Sequence, residues 1–590
     1  MERSELWEKW EKENPKVPTA IWDYAPGYEL IPEVDIPIGH SWFFDGTHSC
    51  PPLEPFSLYE YWMRGCGHGL KYINTVLSVP GSYGTEGRTI DFAAYWSFYI
   101  VRDEKERRER ELKMKEALKP YMEDYMGLWK KKKEELSRIY DRLINYELRT
   151  PVDYVHLHWE CISSIFRVWE IHFEGMQSAN LGWLYLSREL ERLLGITSIS
   201  EEFQRIMPGF ENDVYVVERE LWELSKLAVD MGIENVFKEK EEKEIKAELE
   251  SSAKGKEWLK LFASFLEKRG WRSISSTTIV DPYWKEDPQM PLRKVKNFIL
   301  SGEAYKPDFA LDEARKKAVV QREEAVKKLL ERIPENERPW IRALIGLAQM
   351  AGYYSEDHDL WCEMTHLAVL RYCYLRIGER LAKYGCIDEP EDVVFLISPE
   401  IEMCLIVPQR NDMRWITRRR KKAWKQARER FIKEGEWRPP VYTDREGGIQ
   451  EALLVDLLPS DDPIFINNVV GEIARISAEE AEADIVGICG SPGIAEGRAR
   501  VIMHYEDLRE LQPGEILVCP MTSPEWCTAF GLAAGVIADR GGTLSHTAII
   551  AREYGTPAIT NTFVATTKIK TGDYIKMDAT RGLIWIVKDK

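Results

Sequence analysis

The run ADRGGTLSHTAIIAREYGTPA, residues 538–558, has the residue types and spacing to carry a charged group on a side chain. The preceding GVIAD reads as the end of a buried strand, and Gly541 and Gly542 allow a tight turn with close backbone approach to a ligand. Ser545 or Thr543 can cap a helix that starts near His546, and Gly555 and Pro557 stop it, so residues 546–554 are predicted to form one short helix. His546 then stands at a helix N-terminus, where N–H groups and the dipole favour an anion and disfavour an imidazolium. A ring nitrogen stays nucleophilic near neutral pH, which suits covalent carriage of a phosphoryl group. The hydroxyls of Thr543, Ser545 and Thr547 can hold its oxygens. Arg540 and Arg552 can neutralise its charge or, as arginines commonly do, form salt bridges. A lone histidine at a helix start is otherwise most often a cap or a packed side chain.

Passing a phosphoryl group to a hydroxyl needs a base, typically worth about 10²–10⁴-fold. His358 beside Asp357, with Glu356 next to them, is the candidate; the same charged triplet also reads as a helix cap. In GHSWFFDGTHSCPP, His40, Asp45 and His48 crowd one stretch with Trp42, Phe43 and Phe44, either an apolar acceptor pocket with a few polar groups or a packed loop. Arg64 and His68 in MRGCGHG are weaker acceptor candidates. His156 and His158 share a face only on a strand and diverge on a helix, which favours a structural role.

The elements that must position these residues change in texture along the chain. A length of 590 residues implies three or four units at roughly 150 each. Residues 1–100 are rich in aromatics, Pro and Gly. From about 101 helical spacing with opposite charges takes over, with a break or kink expected at Pro120. Residues 236–256 read as a charged, exposed helix or linker. Further helices are predicted at about 257–269, 308–333, 338–352 and 359–385, the last capped by Gly385. RRRKKAWKQARERF, residues 418–431, reads as a solvated basic face or a docking surface for an acidic partner. After 484, short apolar runs separated by Gly and Pro read as strands.

The expected architecture is therefore an α+β multidomain chain. An aromatic-rich segment (1–100) and a helical acceptor-binding domain (101–440) form one large body. A linker (441–484) leads to a C-terminal α/β swivelling domain (485–590). The net charge of −17 argues against nucleic acid as a main partner. The lack of any apolar run of about 18 residues argues against a membrane. The charged start MERSELWEKWEKEN lacks a signal-peptide core, and none of the ten cysteines has CxxC spacing, so a cytoplasmic chain with no metal site is expected. Nineteen of the 21 tryptophans precede residue 484, which suggests packing or an apolar pocket in the body.

The 538–558 run resembles the phosphohistidine segment of the phosphoenolpyruvate synthase and pyruvate phosphate dikinase family, in Gly541, Gly542, His546, Ala551, Arg552, Gly555, Pro557 and Ala558. GSPGIAEGRARV, ILVCPMTSPEW and the final GDYIKMDATRGLIWIV fit the same swivelling domain. Leu544 and Thr547 depart from it, where Thr and Ala are common. Neither an ATP-grasp pattern nor a phosphoenolpyruvate-binding barrel is read in the chain. Residues 355–401, with Glu356, Asp357 and His358, resemble the segment before the carrier in rifampin phosphotransferases. The combination is similar to the large His-bearing subunit of phenylphosphate synthase. That resemblance implies a separate ATP-grasp partner subunit, Mg²⁺ with ATP on that partner, a phosphohistidine at His546 made from the β-phosphoryl group, and a phenolic or other apolar hydroxyl acceptor. A non-catalytic phosphocarrier, or the same chemistry on another alcohol or a keto-acid enol, are the competing readings.

Overall fold

The computed structural model describes residues 41–45, 52–90, 92–101, 103–198, 200–434, 442–443, 482–503, 505–522 and 526–587. Most of the predicted linker lies outside them, as do His40 and His48, and of Trp42 only the backbone is described. The first part builds a small sheet from β1 (Ser41–Phe44), β2 (Ser82–Ile90), β3 (Ala93–Ile100) and β4 (Tyr442–Thr443), in the order β2-β3-β1-β4. Between β1 and β2 run a π-helical stretch, Ser57–Cys66, and helix α1 (Gly67–Val76).

The body is helical. Helix α2 (Glu104–Ile144) runs on through Pro120. Its backbone leaves the helical region four residues later, at Asp124 (φ −151°, ψ 66°), whose carboxylate restarts the helix by accepting from the Gly127 N–H at 2.9 Å. Helix α3 (Pro151–Leu194) begins with Pro at its first position and ends at Gly195 in the left-handed conformation (φ 71°). It buries Leu157, Cys161, Ile165, Val168 and His172, three or four residues apart, along one stripe. Then follow α4 (Asp213–Asp230), α5 (Ala253–Arg269), α6 (Gln289–Leu300), α7 (Ala310–Glu331), α8 (Arg338–His358), a second π-helical turn (Asp359–Met364), α9 (Thr365–Lys383) and α10 (Arg414–Glu434). The charged stretch after 233 folds as two short helices, Glu234–Glu239 and Glu242–Glu250, that bury Phe237, Ile245 and Leu249. One apolar core takes Phe56, Tyr61 and Trp62 from before residue 100 together with Trp169, Leu347 and Leu370 of the long helices. Basic helix α10 docks on this same chain. Arg420 is buried against Glu400 at 2.7 Å, Arg418 meets Asp388 at 2.6 Å and Lys421 meets Asp392 at 2.8 Å.

The C-terminal part is an eight-stranded sheet built from β5 (Ile485–Val486), β6 (Ile488–Ser491), β7 (Ile494–Val501), β8 (Ile516–Cys519), β9 (Gly535–Ala538), β10 (Ala558–Thr560), β11 (Tyr574–Asp578) and β12 (Leu583–Val587). Their order is β5-β12-β11-β7-β8-β9-β10-β6, with β7 to β10 parallel. Helices α11 (Cys527–Leu532) and α12 (His546–Tyr554) fill the crossovers, as parallel strands require. The expected class, a mainly helical body followed by an α/β domain, is what the chain adopts. The two parts share buried apolar surface: Leu221, Leu292 and Phe309 of the body join Trp526, Phe530 and Ile550 of the C-terminal domain in one cluster. No helix among the described residues is long and apolar enough to cross a membrane.

Candidate active site

His546 is the first residue of α12, directly after β9 and a glycine turn. Gly541 has φ +105°, and a Cβ there would lie 2.6 Å from the Ser545 hydroxyl, so the turn demands glycine. Ser545 takes the N-cap position, but its hydroxyl donates back to the Gly542 carbonyl at 2.8 Å and no side chain caps the helix. Gly555, in the left-handed conformation at φ 70°, ends it.

The imidazole is held on both sides. Nδ1 lies 2.9 Å from the Thr522 hydroxyl, which lies 2.8 Å from that of Thr547. Nε2 faces the body: Glu356 Oε2, at the end of α8, is 3.6 Å away. Cys527 Sγ is 3.8 Å from Nε2, and the Phe530 ring stands edge-on at 6.2 Å. The side chain is 11% exposed. Burial, then the charges of Lys294 and Arg272, push its pKa down to about 3, so the ring is neutral at any ordinary pH. Lys294 is itself fully buried, 2.8 Å from Glu218, and Arg272 lies over the Trp284 ring at 4.6 Å. The charges of Arg272 and of Lys294, the latter paired with Glu218, disfavour one more positive charge on the imidazole.

The other expected phosphate ligands divide. Thr547 joins the hydroxyl chain to His546. Arg552 is committed elsewhere: its buried guanidinium donates to the Thr543 carbonyl at 2.7 Å, to the Gly490 carbonyl at 2.8 Å and to Gln204 Oε1 at 2.9 Å, so it shapes the turn and ties it to the body. Next to it, both carboxylate oxygens of Glu553 accept from the Gly209 N–H, at 2.9 and 3.1 Å, a second strap between the two parts. The backbone N–H of Arg540 donates to the Pro520 carbonyl at 3.0 Å. Gly542 lies in the same turn, buried.

The charged triplet does not act as one unit. Asp357 is buried and accepts from Trp129 Nε1 at 2.6 Å, the Asp213 N–H at 2.7 Å, the Tyr353 hydroxyl at 3.0 Å and Lys133 at 3.1 Å. His358 turns away from Asp357 and uses Nδ1 on the Tyr354 carbonyl at 2.7 Å. Glu356, which the sequence places only as their neighbour, is the residue that reaches His546. Asp45 is buried and accepts from Trp96 Nε1 at 3.0 Å. Arg64 pairs with Glu60 at 2.5 Å and His68 meets Glu170 at 2.9 Å. None of these three is among the groups around His546. His156 is exposed and His158 is buried between Tyr374 and Ser398, as a helix dictates. The tryptophan surplus is largely core: Trp169, Trp183, Trp258 and Trp284 are fully buried.

Sequence reasoning missed Thr522, Lys294 and Arg272. Thr522 belongs to the ILVCPMTSPEW block, and could have been found as its hydroxyl-bearing residue. The two cations come from distant, unremarkable stretches and carry no local signal.

Residues 511–582 match the family model described as "PEP-utilising enzyme, mobile domain", and residues 168–356 match "Rifampicin phosphotransferase fourth domain". An uncharacterized phosphotransferase YvkC of Bacillus subtilis is 29% identical over 66% of this chain and 44% of its own length. A rifampicin phosphotransferase of Streptomyces sviceus is 29% identical over 55% of this chain and 34% of its own. A probable phosphoenolpyruvate synthase of Pyrococcus abyssi is 46% identical over 18% of this chain and 13% of its own. The chain thus spans less than half the length of these curated relatives. It carries a stretch like the fourth domain of rifampicin phosphotransferases, followed by the mobile domain of the PEP-utilising enzymes.

Proposed function

We propose that the chain is the carrier and acceptor-binding subunit of an ATP-dependent phosphotransferase with a ping-pong cycle through phosphohistidine at His546. The observation that carries this reading is the buried, neutral imidazole at the start of α12, held with Nε2 toward the body. Nε2 is the nitrogen that faces the body, and an Nδ1–H donated to the Thr522 hydroxyl would leave the lone pair there, so this reading assigns the phosphoryl group to Nε2.

In the charging half-reaction the domain swings to an ATP-grasp partner subunit, which binds ATP with Mg²⁺. Nε2 attacks the β-phosphorus, the P–O bond to the AMP part breaks, and the γ-phosphate leaves as inorganic phosphate after reaction with water. In the discharging half-reaction the loaded domain docks on the body. An acceptor hydroxyl attacks phosphorus, the N–P bond breaks and its electron pair returns to Nε2. Glu356 takes the hydroxyl proton, while Lys294 and Arg272 offset the charge of the phosphoryl group. The acceptor class is an organic hydroxyl, with phenol the representative suggested by the phenylphosphate synthase resemblance. The docked pose leaves His546 too enclosed for an acceptor to enter, so release of the domain is part of the cycle.

The reading is tested by discharge. Chain charged on His546, freed of nucleotide, is mixed with phenol or with buffer. Rapid loss of label to phenyl phosphate supports the proposal. Label stable to phenol but lost to another alcohol replaces the acceptor, and label stable to every hydroxyl compound supports a carrier that signals through protein contacts.

A further inference from the structure

We propose that His172, His358 and Glu363 bind one divalent transition-metal ion of the Zn²⁺ type within the helical body, away from the phosphoryl carrier. All three are buried, and one donor atom from each lies within 4.8 Å of the other two. His172 Nε2 is 3.1 Å and His358 Nε2 3.8 Å from Glu363 Oε1. A tetrahedral ion with bonds of about 2.1 Å holds its donors about 3.4 Å apart, so the two distances to Glu363 already bracket that spacing and the two imidazoles lie within 4.8 Å of each other.

The backbone is built to bring these donors together. His358 and Glu363 are five residues apart, which on an α-helix would turn them about 140° from each other. The chain is π-helical from Asp359 to Met364, and its wider turn, closed by i to i+5 hydrogen bonds, brings them onto one face. The carbonyls that the wider turn displaces are satisfied by other helices: the Tyr140 hydroxyl donates to Trp361 O at 2.5 Å and that of Tyr61 to Cys362 O at 2.9 Å. A π turn inside a helix is an unfavourable geometry that recurs at functional sites. Here it serves to aim Glu363 at the two rings.

The tautomer is fixed as well. The Tyr354 carbonyl can only accept, so His358 Nδ1 carries the hydrogen and Nε2 presents its lone pair to the cluster. A metal-binding histidine is oriented in this way by its second shell. The His172 ring meets that of His358 edge-on at 4.4 Å and leans on Trp169 at 4.6 Å, which holds its direction. Two imidazoles and one carboxylate favour zinc or its first-row neighbours over Mg²⁺ or Ca²⁺, which take oxygen ligands. A bound ion would rivet α3 to the end of α8, the same turn of helix that presents Glu356 to His546 from its other side. The site therefore has a positioning role, and its existence does not depend on the transfer chemistry.

The test uses the full chain produced in zinc-supplemented medium. Metal content is measured before and after chelation, with thermal unfolding in each state and after return of Zn²⁺ alone. The expected result is about one zinc per chain, a lower melting temperature without it and recovery on its return. Glu363→Gln should lose zinc affinity by more than the roughly 10–100-fold typical of losing an outer-shell partner. Should that variant not fold, Co²⁺ added to chelated wild type decides: intense visible bands of a tetrahedral nitrogen–oxygen site support the proposal. A wild-type chain that takes up neither Zn²⁺ nor Co²⁺, or a folded Glu363→Gln variant that binds zinc as tightly as wild type, overturns it and leaves a buried His172–Glu363 hydrogen bond.

Discussion

Replacing Glu356 by Gln keeps the shape of the side chain facing His546 and removes its ability to accept a proton. Glu356 Oε2 is 3.6 Å from Nε2. During transfer, an N–P bond and a near-attack gap of about 3 Å put the acceptor oxygen roughly 5 Å from Nε2. A general base must be about 2.8 Å from that oxygen. A point 3.6 Å from one end of a 5 Å line and about 2.8 Å from the other exists, beside the line, because the two distances together exceed it. On that triangle Oε2 would stand only about 2.3 Å from the phosphorus, inside van der Waals contact, so Glu356 has to draw back from Nε2 as the loaded group enters before it acts as the base. Loss of a general base costs about 10²–10⁴-fold, or roughly 3–5 kcal/mol of barrier. The assay separates the half-reactions: rate of label uptake from ATP with the charging partner, and rate of single-turnover discharge to the acceptor. Glu356→Gln should slow discharge by that factor and leave uptake within about twofold, because charging occurs with the domain swung away from α8. Equal slowing of both steps, or no slowing of discharge, would refute the role.

Other perturbations have equally definite outcomes. Lys294→Met strands the buried Glu218 carboxylate and should cost about 3–5 kcal/mol in thermal or denaturant unfolding. Adding Glu218→Leu should restore stability but not discharge, since the cation beside His546 is still missing. The His546 pKa near 3, lowered from 6.5, means that its contribution to stability is fully present above pH 6.5 and is lost as pH falls from there toward 3. Ring NMR signals of the docked chain should accordingly show no His546 titration between pH 8 and 5, and a midpoint near 6.5 would contradict the site's electrostatics. Arg552→Met removes three hydrogen bonds from a buried guanidinium, each worth about 1.5–3 kcal/mol. Amide hydrogen exchange at residues 541–546 should speed up and label uptake should fall. Gly541→Ala forces a side chain into positive φ, costing about 1–3 kcal/mol, and should impair uptake more than global stability.

The turn and helix around His546 were legible because their signals are local. The glycine turn, the cap position at Ser545 and the stop at Gly555 all fall within a few residues of His546, and short-range sterics fix them. The two-part architecture was legible in the change from helical to strand periodicity near 484. The rest of the site was not, because its members converge only through tertiary packing. Lys294 and Arg272 lie more than 250 residues before His546 in the chain, and only the fold brings their charges to bear on it. Adjacency misled at Asp357–His358: successive helical residues diverge by about 100°, so the pair splits between a structural node and another cluster, and Glu356 alone turns toward the carrier. The π turn at Asp359–Met364 has no sequence signature. Pro120 misled in a different way: α2 tolerates it, and the break comes at Asp124, where a carboxylate can restart the helix. Among the described residues, most tryptophans are buried packing side chains.

The central claim is that His546 carries the phosphoryl group. It is tested most directly by incubating the purified chain with ATP labelled separately at the β and γ positions, with extract of its source cells as the charging partner, and mapping acid-labile label by mass spectrometry under neutral conditions. The expected result is β-derived label on Nε2 of His546 and none in His546→Ala. Label at another residue, or equal labelling of the His546→Ala chain, would contradict it.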